Sequence, residues 1–280
     1  MGKGPVSITK ASGTQEPFSQ QKLENSLKKA GADNNAINTI IKKIKPFLYD
    51  GVSTKKIYRK AFKLLARHKG SLAARYSLKK AIMELGPTGY PFEHFIGQLL
   101  TKNGLRTEVG QILEGKCVSH EVDVVATGDK MQYFVECKYY NSQGKYADVK
   151  VPMYIRSRFE DIVAMRKNLP EYKDFTFHGW LVTNTRFTSD ALAYGKCSGL
   201  HLVSWDLPAG QSLKAMIERE GLFPVTVLTG LNKEQKQILL EKGIVLCRQL
   251  YNQQNMLDKM VQNQNKKQKI IDEIKDLIGI

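Results

Sequence analysis

The stretch from Glu121 to Tyr140, EVDVVATGDKMQYFVECKYY, constrains the fold of this chain most tightly. Val122, Val124 and Val125 precede a Gly128–Asp129 turn, and apolar residues continue through MQYFVECKYY. That pattern predicts two strands joined by a tight turn. Asp123, Glu136 and Lys138 nevertheless lie inside those strands. A charge in a strand core is costly unless it has a partner, so three of them call for a shared purpose.

The flanking segments predict the rest of the domain. PFEHFIGQLLTKNG reads as a helix with Phe92, Phe95, Ile96, Leu99 and Leu100 on one side, and LRTEVGQIL alternates as a strand. After a polar loop (NSQGKYADVK), MYIRSRFEDIVAMRKNL predicts a helix, FHGWLVT a strand, TSDALAYGKCSG a helix and LHLVSW a closing strand. The order α-β-β-β-α-β-α-β implies an α/β (α+β) domain, one mixed sheet with helices on its faces.

Asp123 and Glu136 fall on adjacent strands, where two carboxylates would repel and raise each other's pKa. A divalent cation removes that penalty, and hard oxygen ligands on a rigid scaffold suit Mg2+. Glu136 and Lys138, two residues apart, face the same side of their strand. The Cys137 carbonyl is available as a further oxygen ligand, and Glu93 on the preceding helix can approach the cluster. A lysine beside a metal can position or activate water and offset phosphate charge. Cys137 itself reads as a strand residue pointing away from the charged side.

This E…D-x12-E-x-K arrangement resembles the signature of the PD-(D/E)xK restriction-endonuclease-like superfamily. The αβββαβ order is similar to that fold's core. The downstream LVTNTRFTSDALAYGKCSGLHLVSW resembles the segment that completes the sheet in Mrr-like restriction endonucleases. The resemblance covers about residues 90–210. It implies that Asp123 and Glu136 are metal ligands, Lys138 the catalytic lysine and Glu93 an accessory acid. Lys150, Arg156 and Arg158 are candidates for phosphate contacts, with a solvated helix face as the alternative. Alternation puts Glu121 on the Asp123 side, while His94 and His120 read as structural.

The first ninety residues carry most of the charge. The chain of 280 residues has a formal net charge of +16; residues 1–90 hold 18 Lys+Arg against 5 Asp+Glu, and the remainder 25 against 22. A basic N-terminal third implies a polyanion nearby, or a solvated face that aids solubility. VSITK predicts a short strand and ASGTQEP a turn, followed by four amphipathic helices that start at Ser19, Asn34, Ser53 and Ser71. The helical run ends at LGPTGYP. Lys10 and Lys22 can converge on phosphates, Thr54 lies near a helix N-terminus where anions are favoured, and Tyr58 can stack on a base. That spacing, over about residues 5–90, resembles the ATP-cone, a nucleotide-binding regulatory domain. The closing LAARYSLKKAIMELGPTGYPFE resembles the joint between an ATP-cone and an Mrr-like nuclease. The sequence departs from the ATP-cone at Ala11, where a second basic residue is common. The alternative is a small basic domain that grips DNA directly. Because no GxxxxGK[ST] motif occurs, ATP is expected to regulate rather than be hydrolysed.

The expected domains are 1–88 (ATP-cone), 89–210 (nuclease) and 211–280 (a helical C-terminal extension). Within the last, LTGLNKEQKQILLEKGIVLCRQL predicts two helices around Gly243. It resembles a helix-hairpin-helix, with a packing or dimerisation element as the alternative. The final IIDEIKDLIGI predicts an amphipathic helix that docks or pairs. No apolar run approaches the roughly 20 residues of a membrane span, and the N-terminus lacks a secretory signal. A cytoplasmic protein is therefore expected, with Cys117, Cys137, Cys197 and Cys247 as free thiols.

The resemblances together imply a Mg2+-dependent endonuclease acting on double-stranded DNA and regulated by ATP or dATP, a homodimer if both strands are cut. Two other readings are a catalytically silent nucleotide-sensing DNA-binding protein and a nuclease specific for DNA junctions.

Overall fold

The computed structural model describes residues 6–10, 12–142 and 144–280; Ala11 lies outside them. The N-terminal unit opens with β1 (Ser7–Thr9), which pairs antiparallel with β2 (Gln15–Pro17) and parallel with β3 (Val52–Ser53). Periodicity predicts a turn where β2 lies and no strand at β3. Two or three residues are too few to show a period, and only pairing defines them.

Four helices were expected next, and five form: α1 (Gln20–Lys29), α2 (Asn34–Ile44), α3 (Thr54–His68), α4 (Gly70–Tyr76) and α5 (Leu78–Ile82). Ser19 caps α1 by accepting the Lys22 N–H at 3.2 Å. The expected helix over 71–86 divides at Ser77, whose hydroxyl bonds back to the Ala74 carbonyl at 3.2 Å. One buried cluster, from Ile8 to Ala73, serves this unit alone. From Ala74 onward the buried side chains join the central core instead.

The central domain comprises α6 (Tyr90–Lys102), β4 (Arg106–Glu114), β5 (Ser119–Gly128), β6 (Met131–Lys138), β7 (Tyr146–Ala147), α7 (Lys150–Arg166), β8 (Thr176–Thr183), β9 (Arg186–Phe187), α8 (Ser189–Ser198) and β10 (His201–Val203). Five strands form one sheet in the order β10-β8-β6-β5-β4. The β4-β5-β6 meander is antiparallel, and β6, β8 and β10 run parallel. The short β7 and β9 pair separately, in parallel. The α6 side of the sheet buries Phe92, Phe95, Leu99, Val124, Val135 and Val182. The α7 side buries Val125, Phe134, Ile155, Phe159 and Leu181. Each such side chain contributes roughly 1.5–3 kcal/mol of burial.

The C-terminal segment folds as α9 (Leu213–Glu220), α10 (Lys233–Glu241), α11 (Cys247–Asn252), α12 (Gln254–Met260) and α13 (Gln264–Ile278). Gly243 turns the chain between α10 and α11 with φ +73°. Leu239, Leu240, Val245, Leu246 and Leu250 around that turn are buried in the central core, so the element packs. The terminal helix α13 docks within its own chain: Ile270, Ile274 and Leu277 enter the same core. Glu273 accepts the Thr229 N–H and hydroxyl, each at 3.0 Å. Lys69, at the start of α4, pairs with Asp276 at 3.0 Å. Among the described residues, no helix is long and apolar enough to cross a membrane, and the four cysteines are unpaired.

Candidate active site

The cleft that gathers the charged strand residues opens where β5 leaves β6. Their ladder runs from Gly128↔Met131 to Val124↔Val135 and ends there. On the other side, β4 pairs Val109↔Val124 and Gln111↔Val122, passing over Asp123 and Gly110. Gly110 has φ +64°, a left-handed conformation inside a strand. The alternation of β5 breaks at this point: Val122 packs on the α7 side and Val124 on the α6 side. Asp123 is thus released from both ladders, and its Oδ2 accepts the Cys137 N–H at 2.7 Å in place of a strand partner.

A cleft of about 400 Å³ is lined by Glu93 from α6, Asp123 from β5, and Glu136 and Lys138 from β6, with Tyr140 and Lys145 beyond. The four residues named from the sequence therefore line one cleft. Glu93 reaches it by folding back over Gly89, where a Cβ would stand 2.8 Å from its Oε1. Cys137 is buried on the α6 side, away from Glu136.

Crowding and burial act together on the acids. Burial, then the charges of Asp123, Glu121 and Glu136, push Glu93 up to about 7. Burial and the Asp123 charge push Glu136 up to about 7, against the pull of Arg158 and Lys138. Burial also raises Asp123, opposed by the Cys137 N–H and Arg158. Such carboxyls shed protons most readily when a cation joins them. Among the described residues, no three His, Cys, Asp or Glu side chains are grouped closely enough to hold a metal by themselves. A hard cation here would draw on the Asp123 and Glu136 carboxylates, with the Cys137 carbonyl and water to complete its shell.

Of the phosphate candidates on α7, Arg158 turns inward. It donates to Glu136 Oε2 at 2.9 Å and to the Glu121 carbonyl. A partner 22 residues distant leaves no local signal in the sequence. Arg156 pairs with Glu160 at 2.7 Å along the helix, and Lys150 begins α7 as an exposed residue. Glu121 offers its backbone to Arg158, and its side chain is exposed. His120 binds Asp161 at 2.8 Å, and Asp161 also accepts the Cys117 N–H at 2.9 Å. His94 packs edge-on against Tyr90. Asn184, not foreseen from sequence, holds the backbone after Lys138 by accepting the Tyr140 N–H at 2.9 Å and donating to its carbonyl at 2.7 Å.

In the N-terminal unit, Lys10 and Lys22 converge on one carboxylate, Glu16, at 2.6 and 3.5 Å. The Lys10 hydrogen bond holds Glu16 below the usual carboxylate range. The Thr9↔Ser53 register brings Lys10, at the end of β1, beside Thr54, the first residue of α3. Ser53 is the cap of that helix, accepting the Lys56 N–H at 3.3 Å. Tyr58 lies elsewhere: its ring stacks on Tyr76 at 4.9 Å, in a cleft shared with Lys80, Glu84 and Lys236.

Three family models match successive stretches of the chain. The ATP cone domain family matches residues 6–83, a restriction endonuclease family residues 86–209, and the AF1548-like C-terminal family residues 223–278. An uncharacterized protein of Archaeoglobus fulgidus is 33% identical over 185 residues, which are 66% of this chain and 100% of that protein. The crystal structure of AF1548, a protein of unknown function, superposes with a TM-score of 0.54 at 33% identity, covering 69% of this chain and 99% of that one. The MspJI restriction endonuclease bound to a 27-mer oligonucleotide gives a TM-score of 0.33 at 14% identity, covering 62% of this chain and 36% of that one. The chain belongs to the AF1548-like family, and in it an ATP cone precedes a restriction-endonuclease domain and an AF1548-like C-terminal domain.

Proposed function

We propose that the chain is a Mg2+-dependent endonuclease that hydrolyses phosphodiester bonds in double-stranded DNA, with ATP or dATP bound at the N-terminal unit setting its activity. One observation carries this reading: Glu93, Asp123, Glu136 and Lys138, from three different elements, line a single cleft at the rim of the sheet. Domain limits at about 88 and 210 fit the same reading.

Asp123 and Glu136 would hold the ion, which when bound stabilises charge on the scissile phosphate. Arg158 keeps Glu136 aimed into the cleft. The Lys138 ammonium orients the attacking water and offsets negative charge that develops on the phosphate. Glu93, poised near neutrality, takes up or returns a proton at the water. In the N-terminal unit, nucleotide phosphates would compete with Glu16 for Lys10 and Lys22, beside Thr54.

A plasmid-nicking assay with Mg2+ or EDTA, with and without ATP, tests the proposal. Nicking that needs Mg2+ and is abolished by Asp123→Ala or Lys138→Ala supports it. Retention of DNA without nicking favours a silent nucleotide sensor, and preferential cutting of four-way junctions over linear duplex favours a resolvase.

A further inference from the structure

A second cleft, of about 450 Å³, lies on the seam between the N-terminal unit and the central domain. Lys22 and Lys29 of α1, Arg75 of α4 and Lys79 of α5 line one side, and Trp205 and Lys214 close the other. Five cations thus face one concavity, and no carboxylate lines it. Among the described residues, Lys29, Arg75 and Lys79 have no acidic partner, while Lys22 and Lys214 each have one at 3.5 Å. The aromatic rings hold two of the cations in place: the Arg75 guanidinium lies 4.8 Å from the Phe223 ring and the Lys79 ammonium 5.8 Å from Trp205. Like charges held together in this way repel unless an anion joins them.

The sheet relates this cleft to the candidate active site. Lys138 pairs with Thr183 of β8, and Val182 of β8 pairs with Val203 of β10. Trp205, two residues further on, donates its N–H to the Thr185 carbonyl at 3.1 Å. Lys138 and Trp205 therefore leave the sheet at the same rim, two strands apart, a lateral step of about 10 Å. A DNA duplex carries one charge per about 1.7 Å of its axis, or roughly six over that step.

We propose that this seam grips the phosphodiester backbone of the duplex whose scissile phosphate enters the Asp123–Glu136 cleft, so that the N-terminal unit takes part in DNA binding. The proposal rests on the nuclease reading. It also accounts for the basic excess of residues 1–90, which a nucleotide site at Lys10 and Lys22 leaves largely unused.

The test is fluorescence anisotropy of the full chain with a labelled duplex in EDTA, which removes cutting from the measurement. The variant K29A/K214A changes two side chains outside both candidate sites, and its melting temperature checks the fold. Loss of two phosphate contacts lowers the slope of log K against log salt by about 1.8. Wild-type affinity should then fall about tenfold more than that of the variant between 50 and 200 mM salt. Identical slopes overturn the proposal, as does absence of duplex binding by the wild type. A variant that loses ATP affinity while duplex binding is unchanged also overturns it, since the seam would then hold a nucleotide. Wild-type binding without Mg2+-dependent nicking defeats the nuclease reading instead, so the two failures are distinguishable.

Discussion

The Tyr139 hydroxyl donates to the Met83 carbonyl at 2.7 Å. One residue follows Lys138 and the other follows α5, so this bond ties the end of the N-terminal unit to the candidate catalytic strand. Asn184 reinforces the joint by donating to Met83 Sδ at 3.1 Å, and the Tyr139 ring lies against Gly86, where a Cβ would meet it at 2.9 Å. Tyr139→Phe keeps the ring and removes the bond. It should cost about 1 kcal/mol of stability and reduce the effect of ATP on nicking while leaving ATP affinity intact. Nicking with and without ATP, beside ATP titration, checks this; an unchanged ATP response would show that the bond carries no coupling.

Arg158→Ala removes the guanidinium from Glu136 and from the Glu121 carbonyl. The side chain is 12% exposed, so the loss should cost on the order of 1–3 kcal/mol, read by denaturant unfolding. Glu136 should then hold its proton more tightly and Mg2+ should bind more weakly at neutral pH. Calorimetric titration of Mg2+ at pH 7 and pH 8.5 measures this, with the deficit smaller at the higher pH.

The raised carboxyls fix a sign for stability against pH. Glu93 and Glu136 titrate near 7 when folded against 4.5 unfolded. Between those values the folded state binds more protons, so its stability falls as pH rises through the window and levels off above about 7. Metal-free protein should melt progressively lower from pH 5 to 7.5, and Glu136→Gln should flatten the decline. Added Mg2+ should raise the melting temperature more at pH 8 than at pH 6. Parallel curves for wild type and Glu136→Gln would refute the assignment.

Gly110→Ala tests how Asp123 is released. Nothing lies within 4 Å of a Cβ at that position, so the cost is backbone strain at φ +64°, about 1–2 kcal/mol. If β4 relaxes to regular pairing, Asp123 turns back toward the ladder and nicking should fall more than stability does. Equal activity at matched folded fraction would show that the left-handed residue does not position the carboxylate.

The hairpin, its turn and the three acids and one lysine of the cleft were legible in the sequence because alternation and burial penalties are local signals. The helices were legible from their caps, as at Ser19. The strands β2, β3, β7 and β9 were not, because two or three residues have no period. The split at Ser77 depends on one hydroxyl, and the change of face at Asp123 depends on Gly110 in the neighbouring strand. The aim of Arg158 toward Glu136 and the stacking of Tyr58 on Tyr76 are tertiary facts without local trace. The docking of α13 was readable as an amphipathic helix, but its site against Thr229 and Lys69 was not.

The bonds that aim the two strand acids also ration their lone pairs. Asp123 Oδ2 accepts a peptide N–H and Glu136 Oε2 a guanidinium, so among the described residues Oδ1 and Oε1 are the oxygens without a hydrogen-bond donor. Chelation through both oxygens of one carboxylate, a mode calcium readily accepts, would have to share an oxygen with its hydrogen-bond donor. If the cleft holds the proposed ion, a smaller octahedral cation that keeps most of its hydration shell would be the better match. Discrimination between the two cations would thus be written into hydrogen bonds that never touch the ion.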